Sequence, residues 1–208
     1  TTADPDDPND PTPDILGDSF SENFDDGSME GWRTIDADGD FRNWKISQGN
    51  GVEGIDESKC IYSESYDSQS NSPLTPDNYI VSDGLYTITE NSALSFYAKP
   101  LDTWSNYYLE HYGVAISYDG TNFITVWEHT VSSTELDWVH KTVDLSDYAG
   151  RNVYIALRHF DCSNRYAICI DNIELTSGNR SAKSSTIENL TVPAGVYYLV
   201  ASATEEFT

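Results

Sequence analysis

From Phe20 to Thr176 apolar and polar positions alternate in short runs rich in Val, Ile, Tyr, Phe, Trp and Thr, each stopped by Gly, Asn, Asp or Ser. A period of two puts successive side chains on opposite faces of a strand, and β-branched and aromatic residues suit that pleated surface, so the pattern predicts β-structure throughout. Strands are expected over Ala93–Lys99, Trp138–Asp144, Asn152–Phe160 and Tyr166–Leu175, with Asp147-Tyr148-Ala149-Gly150 turning between the middle pair. The clearest pair spans Tyr112 to Trp127, where two runs flank Asp119-Gly120-Thr121-Asn122, and Asp-Gly is expected to supply the positive φ values of a tight hairpin. No long stretch carries a helical period. Strands at this spacing, with no helices between them, imply an all-β, two-sheet sandwich. Within Asn152–Phe160, Val153, Ile155 and Leu157 share one face and Tyr154, Ala156 and Arg158 the other; both faces are mostly apolar, which predicts a central strand covered on both sides.

The two ends break this pattern. Residues 1–18 hold Pro5, Pro8, Pro11 and Pro13 among many aspartates and read as a disordered acidic linker unable to join a ladder. The main domain is expected over 19–177. In 178–208 a small, polar stretch precedes two strand-like runs around Pro193-Ala194-Gly195, too short to bury a core alone. They are either the opening strands of a following module or a hairpin docked on the sandwich.

Composition narrows the chemistry. With 35 acidic and 11 basic residues, a net charge of −24 repels phosphate backbones and anionic bilayers, so neither nucleic acid nor a membrane surface is an expected partner. The same surplus suits a protein bathed in salt or millimolar calcium. No run is long and apolar enough to span a bilayer, no signal peptide opens the chain, and the segment reads as mature or trimmed. Three cysteines, Cys60, Cys162 and Cys169, permit at most one internal bridge and lack the paired spacing of structural zinc.

Catalytic motifs are missing from the sequence, and an enzyme is not expected. His159 and Cys162 are three positions apart, on opposite faces of a continuing strand unless the chain turns after Phe160, and read as a core or rim histidine and a buried thiol. A glycosidase pair of carboxylates is set by distance in space, so the sequence leaves it open, but no Glu stands in an evidently apolar setting. Asp36-Ala37-Asp38-Gly39-Asp40 can present several oxygens from one tight loop to a hard cation. It begins like an EF-hand and then departs from it, at Phe41 and Ser47, so the alternatives are a partial cation site and a plain acidic turn. Trp104, Tyr107 and Tyr108 precede a strand in a loop; their rings either stack on a ligand or cap the core. Arg158 and His159 are expected to pair with Asp161 or Glu110, as a strand-edge ion pair.

An ordered set of motifs resembles the cleaved adhesin domain, the module attached to gingipain-type proteases and haemagglutinins of Bacteroidetes. It comprises Phe20-Ser21-Glu22-Asn23-Phe24, Trp32 through Asp40 with Asn43-Trp44, Pro76-Asp77-Asn78-Tyr79, Glu110-His111-Tyr112, Lys141-Thr142-Val143, Arg158 through Cys162, and Ile170-Asp171-Asn172-Ile173. The resemblance implies a jelly-roll sandwich, galactose-binding-like in architecture, that binds calcium and serves adhesion to host proteins or glycans without catalysis. It adds Glu22 and Asp171 to Asp36 and Asp38 as candidate calcium ligands, since the first and last strands of such a fold meet. It implies a secreted or outer-membrane cell-surface location within a larger multidomain protein. A carbohydrate-binding module serving an attached enzyme and a structural spacer remain the alternatives. Cys60 and Cys162 fall at the family's cysteine positions, which leaves a bridge between them open. The chain departs from the pattern at Cys169, in the acidic, Ser-rich stretch from Glu53 to Asn71, and in the short segment from Trp127 to Trp138.

Overall fold

The computed structural model describes residues 13–49 and 51–178. The chain forms β1 (Ile15–Gly17), β2 (Phe20–Glu22), β3 (Trp32–Asp36), β4 (Lys45–Ile46), β5 (Ile61–Glu64), β6 (Tyr66–Asp67), β7 (Ser72–Pro73) and β8 (Asn78–Ser82). It continues with β9 (Leu85–Thr87), β10 (Ala93–Pro100), β11 (His111–Ser117), β12 (Phe123–Thr130), β13 (Val139–Asp144), β14 (Asn152–His159) and β15 (Ala167–Thr176). Among the described residues the only helical segments are single 3-10 turns at Ile55–Glu57 and Ser146–Tyr148.

Two sheets face each other as a jelly-roll sandwich. One runs β1-β9-β14-β11-β12, with β8 beside β14 and β3 beside β8; the other runs β13-β10-β15-β5-β4, with β2 also on β15. The core between them includes Phe24, Trp44, Ile61, Leu94, Phe96, Tyr112, Ile155, Leu157, Ile168 and Ile173. Burying such side chains contributes roughly 1.5–3 kcal/mol each and supplies the main force holding the sheets together. β14 is the central strand that its double apolar pattern requires. Val153, Ile155 and Leu157 enter the main core, while Tyr154 and Ala156 pack on the reverse face with Tyr79, Val81, Leu85 and Ala115.

Two local expectations are corrected, and β15 carries one irregularity. Residues 13–18 are not all linker: β1 pairs in parallel with β9, Leu85 N donates to Asp14 O over 2.8 Å, and a Cβ at Gly84 would stand 2.5 Å from Leu16 Cγ. Ile15-Leu16-Gly17 follows the last proline, so its backbone donors are free to pair at the sheet edge. The β11–β12 connection is longer than a tight hairpin, because the ladder closes at Ser117↔Phe123 and only Gly120, at φ 72°, takes a positive φ there. Asp119 stabilises that loop by accepting from Thr121 N and Asn122 N. Asn172, at φ 49°, makes a bulge in β15 where Ser95 pairs with Glu174 but Tyr97 with Asp171. The bulge inserts a residue between Ile170 and Ile173, so both reach the core and Asp171 is left on the outer face. Residues 1–12 of the linker expected over 1–18, and the strand-like runs after residue 178, lie outside the described residues.

Candidate functional site

The four candidate calcium ligands do not form one cage. Glu22 pairs opposite core-facing Ile173 in β15 and Asp171 lies two residues away, facing the other side of that sheet, whereas Asp36 and Asp38 stand at the end of β3 in the opposite sheet. At the β2–β15 seam Ile173 is opposite Glu22, and the Glu22 carboxylate accepts from Phe24 N over 2.8 Å. Asp171 is 1% exposed. Its Oδ2 accepts from Ile55 N over 2.9 Å and its Oδ1 from Asn172 N over 2.7 Å. Burial pushes the Asp171 pKa up, and the charge of Asp25 pushes the same way, against the two backbone donors. No ion pair joins Asp171 to a basic side chain among the described residues. Asp25 and the Gly54–Ser58 turn escape a sequence reading because only the folded chain brings them to Asp171; the irregular Ile170-Asp171-Asn172-Ile173 period is the one local sign.

The Asp36 loop is assembled locally. Asp36 Oδ1 accepts from Gly39 N over 2.7 Å and Oδ2 from Phe41 N over 2.8 Å, which bends the chain through Gly39 at φ 76° and Phe41 at φ 64°. Phe41 is left 96% exposed. Carboxylate oxygens of Asp36, Asp38 and Asp40 lie within 4.8 Å of one another. Partial burial opposes ionisation of Asp36, yet the Gly39 and Phe41 donors hold its pKa down, while burial, the bond to Asp36 and the charge of Asp40 raise that of Asp38. The two neighbours are thus pushed in opposite directions, as close carboxylates often are.

A second group of possible ligands, Glu110, His159 and Cys162, is buried between the sheets. Glu110 Oε2 lies 3.0 Å from His159 Nε2 and 3.3 Å from Cys162 Sγ, while Oε1 accepts from Ser65 Oγ over 2.9 Å and Tyr166 N over 2.7 Å. His159 Nδ1 lies 2.9 Å from Ser63 Oγ, which receives Asn78 Nδ2 over 3.2 Å. A hydrogen on Nε2 facing Glu110 leaves Nδ1 to accept from Ser63, which completes the chain of donors and acceptors. The chain does turn after Phe160, with Asp161 at φ 50°, and brings Cys162 Sγ to 3.2 Å from His159 Nε2. Burial and the charge of Glu110 push the Cys162 thiol pKa far up, so it serves as a hydrogen-bond donor rather than a thiolate.

The expected ion pairs are redistributed. His159 meets Glu110, but Arg158 takes Asp77 through two bonds, of 2.7 and 3.0 Å, with its guanidinium over the rings of Tyr79 and Phe160. The question of a Cys60–Cys162 bridge, left open by the sequence, is answered by position: all three thiols are free, Cys162 belongs to the Glu110 cluster, and Cys60 instead neighbours Cys169. The neighbouring Cys169 thiol draws the Cys60 pKa down, against burial. In the aromatic loop Trp104 is 74% exposed and lies 6.1 Å from the ring of Tyr107, while Tyr108 packs against the core.

Comparison with known proteins accounts for this architecture. The chain is 34% identical over 192 residues to Lys-gingipain W83 of Porphyromonas gingivalis, covering 84% of the chain and 11% of that protein. It is 33% identical over 191 residues to Hemagglutinin A of the same species, covering 80% of the chain and 8% of that protein. The chain therefore spans about a tenth of the length of these relatives. The crystal structure of the K1 cleaved adhesin domain of Lys-gingipain from P. gingivalis W83 superposes with a TM-score of 0.68 at 33% identity, over 77% of this chain and 98% of that one. The K3 domain gives 0.66 at 32% identity, over 76% and 98%. A carbohydrate-binding module in complex with β-1,4-galactotriose, at 13% identity and a TM-score of 0.50, shares the fold alone. The family model described as Cleaved Adhesin Domain matches residues 18–175, and the chain belongs to that family of adhesion-type modules.

Proposed function

We propose that this chain is a non-catalytic adhesion module of a longer, exported surface protein, closed by calcium at the β2–β15 seam and engaging host proteins or glycans. The observation that carries the calcium reading is Asp171. A carboxylate 1% exposed, next to Asp25 and with no basic partner among the described residues, is costly to ionise unless a cation shares its charge. Asp171 and the nearby Asp25 offer carboxylate oxygens, which suit a hard divalent ion. Calcium there would neutralise the buried charge and tie the second strand to the last. Asp36, Asp38 and Asp40 offer a separate, more exposed oxygen set of the same character. Location at the cell surface and use in adhesion rest on the family, whose relatives include gingipains and a hemagglutinin.

Thermal unfolding with and without calcium tests the proposal. A ligand that binds only the folded chain stabilises it by about 2.7 kcal/mol at a hundredfold excess over Kd. Asp171→Asn is expected to remove most of this gain, and a paired Asp36→Ala, Asp38→Ala variant only what belongs to its own loop. The sign with pH is fixed by the raised Asp171 pKa. Without metal its contribution is fully present below the unfolded value and is lost as pH rises through the folded one, so apo stability falls with pH there while calcium-bound stability does not. Identical melts in calcium and in EDTA across that range would remove calcium from the proposal. Adhesion is read separately, by binding of the calcium-loaded chain to immobilised host glycoproteins.

A further inference from the structure

Beside the aromatic loop, Tyr66, Asp102, Tyr107, Asn164, Arg165 and Tyr166 line a cavity of about 260 Å³. That is below the usual size of a drug-like site and leaves room for about one sugar ring. Three tyrosines provide ring faces, and Asp102 and Asn164 provide acceptors and a donor amide, a mixture suited to a ligand with both flat C–H faces and hydroxyls. The exposed ring of Trp104, 6.1 Å from that of Tyr107, extends the aromatic surface beyond the cavity.

Arg165 stands out in this lining. In a chain with 35 acidic residues, its guanidinium makes no ion pair with a carboxylate among the described residues, not even with Asp102. Its Nε is buried without a hydrogen-bond partner. A buried donor with no acceptor is unfavourable, and a guanidinium in a fixed fork is built to receive a carboxylate through two bonds.

The walls are also held rigid from behind. Ser65 O accepts from Asn164 N over 3.0 Å, and Ser65 Oγ accepts from Arg165 N over 3.2 Å while donating to Glu110 Oε1. Glu110 accepts from Tyr166 N as well. One buried carboxylate thus binds together the Ser65–Tyr66 wall and the 164–166 wall, and Glu110 itself ends the segment that carries Asp102 and Tyr107. A pocket fixed in advance loses less entropy when a ligand enters.

We propose that this cavity binds the carboxylated terminal sugar of a glycan, a uronic or sialic acid, with Arg165 holding the carboxylate, a tyrosine face stacked on the ring, and Asp102 and Asn164 meeting its hydroxyls. The proposal rests on the glycan arm of the adhesion reading and names its ligand class. The test is titration of the calcium-loaded chain with oligosaccharides ending in glucuronic or sialic acid, beside the same oligosaccharides with the acid reduced to the alcohol. The acids are expected to bind, with loss of about tenfold in affinity or more on reduction and on Arg165→Met, given the strength of charge-assisted bonds. Tyr107→Ala is expected to weaken binding while the melting temperature of both variants stays near that of the parent. Equal affinity for acid and alcohol, or an unchanged Kd in a folded Arg165→Met chain, would overturn the assignment. So would preference for a peptide carboxylate over every acidic sugar. Binding to an immobilised host glycoprotein that survives Arg165→Met and enzymatic removal of acidic sugars would sink this inference and leave the adhesion reading standing.

Discussion

The Asp36 loop and the Glu110 cluster each gather three ligand-type side chains within 4.8 Å, yet they are opposite kinds of object. The first draws Asp36, Asp38 and Asp40 from five consecutive residues and meets much of its hydrogen-bonding demand with its own backbone. The second draws Glu110, His159 and Cys162, with Ser63, Ser65 and Asn78, from separate parts of the chain into the buried interior. A local cluster at the rim is inexpensive to form and to remove, whereas a dispersed one inside the core has to be satisfied in full or it destabilises the fold. Charge density alone therefore does not rank these groups; solvent access and the origin of their partners do.

The largest effect expected from this contrast is on Glu110. Glu110→Ala strands His159, Ser65, Cys162 and Tyr166 N without their acceptor and is expected to cost about 3 kcal/mol or more in urea unfolding, with weakened protection of the 161–166 amides from hydrogen exchange. A loss no greater than that of a surface substitution would erase the distinction. Next comes Asp36→Ala in EDTA, expected to cost on the order of 1 kcal/mol because water can reach the freed Gly39 and Phe41 donors. The smallest effect tests an intermediate case, Glu135, which pairs with Lys141 and lies 2.8 Å from His129. Burial opposes ionisation there, but Lys141 and His129 hold its pKa down to about 2. Its contribution is present above the unfolded carboxylate pKa and lost as pH falls through about 2. In acid titrations of stability, Glu135→Gln is expected to flatten that part of the profile by on the order of 0.5–1 kcal/mol, after allowance for its solvated flank.

The same contrast explains what could be read from the chain. The long strands β10, β13, β14 and β15 follow from alternation, and even the double burial of β14 is written in Val153 through Leu157. β1 was hidden because the prolines and aspartates around Ile15-Leu16-Gly17 dominate the composition of that end. Parity along a strand leaves the place of Cys162 conditional on a turn after Phe160, and Asp161 in the left-handed region supplies that turn. Asp36 and Asp38 are legible because their partners are local. Asp25 beside Asp171, the Ser65–Glu110–Tyr166 brace and the position of Arg165 are not, since each depends on which distant segments the sheets juxtapose.

The opening segment has a mechanical consequence. β1 is hydrogen-bonded into one sheet and β2, a few residues later, into the other, so the start of the domain is a strap across both layers. Phe20 stands opposite Leu175 in an antiparallel pair, and the chain therefore passes into and out of that ladder at neighbouring points. Tension drawn through the two ends would peel β2 from β15 one bond at a time instead of loading the bonds together, so the force a tethered module withstands would be governed by what fastens this corner rather than by the size of its interior.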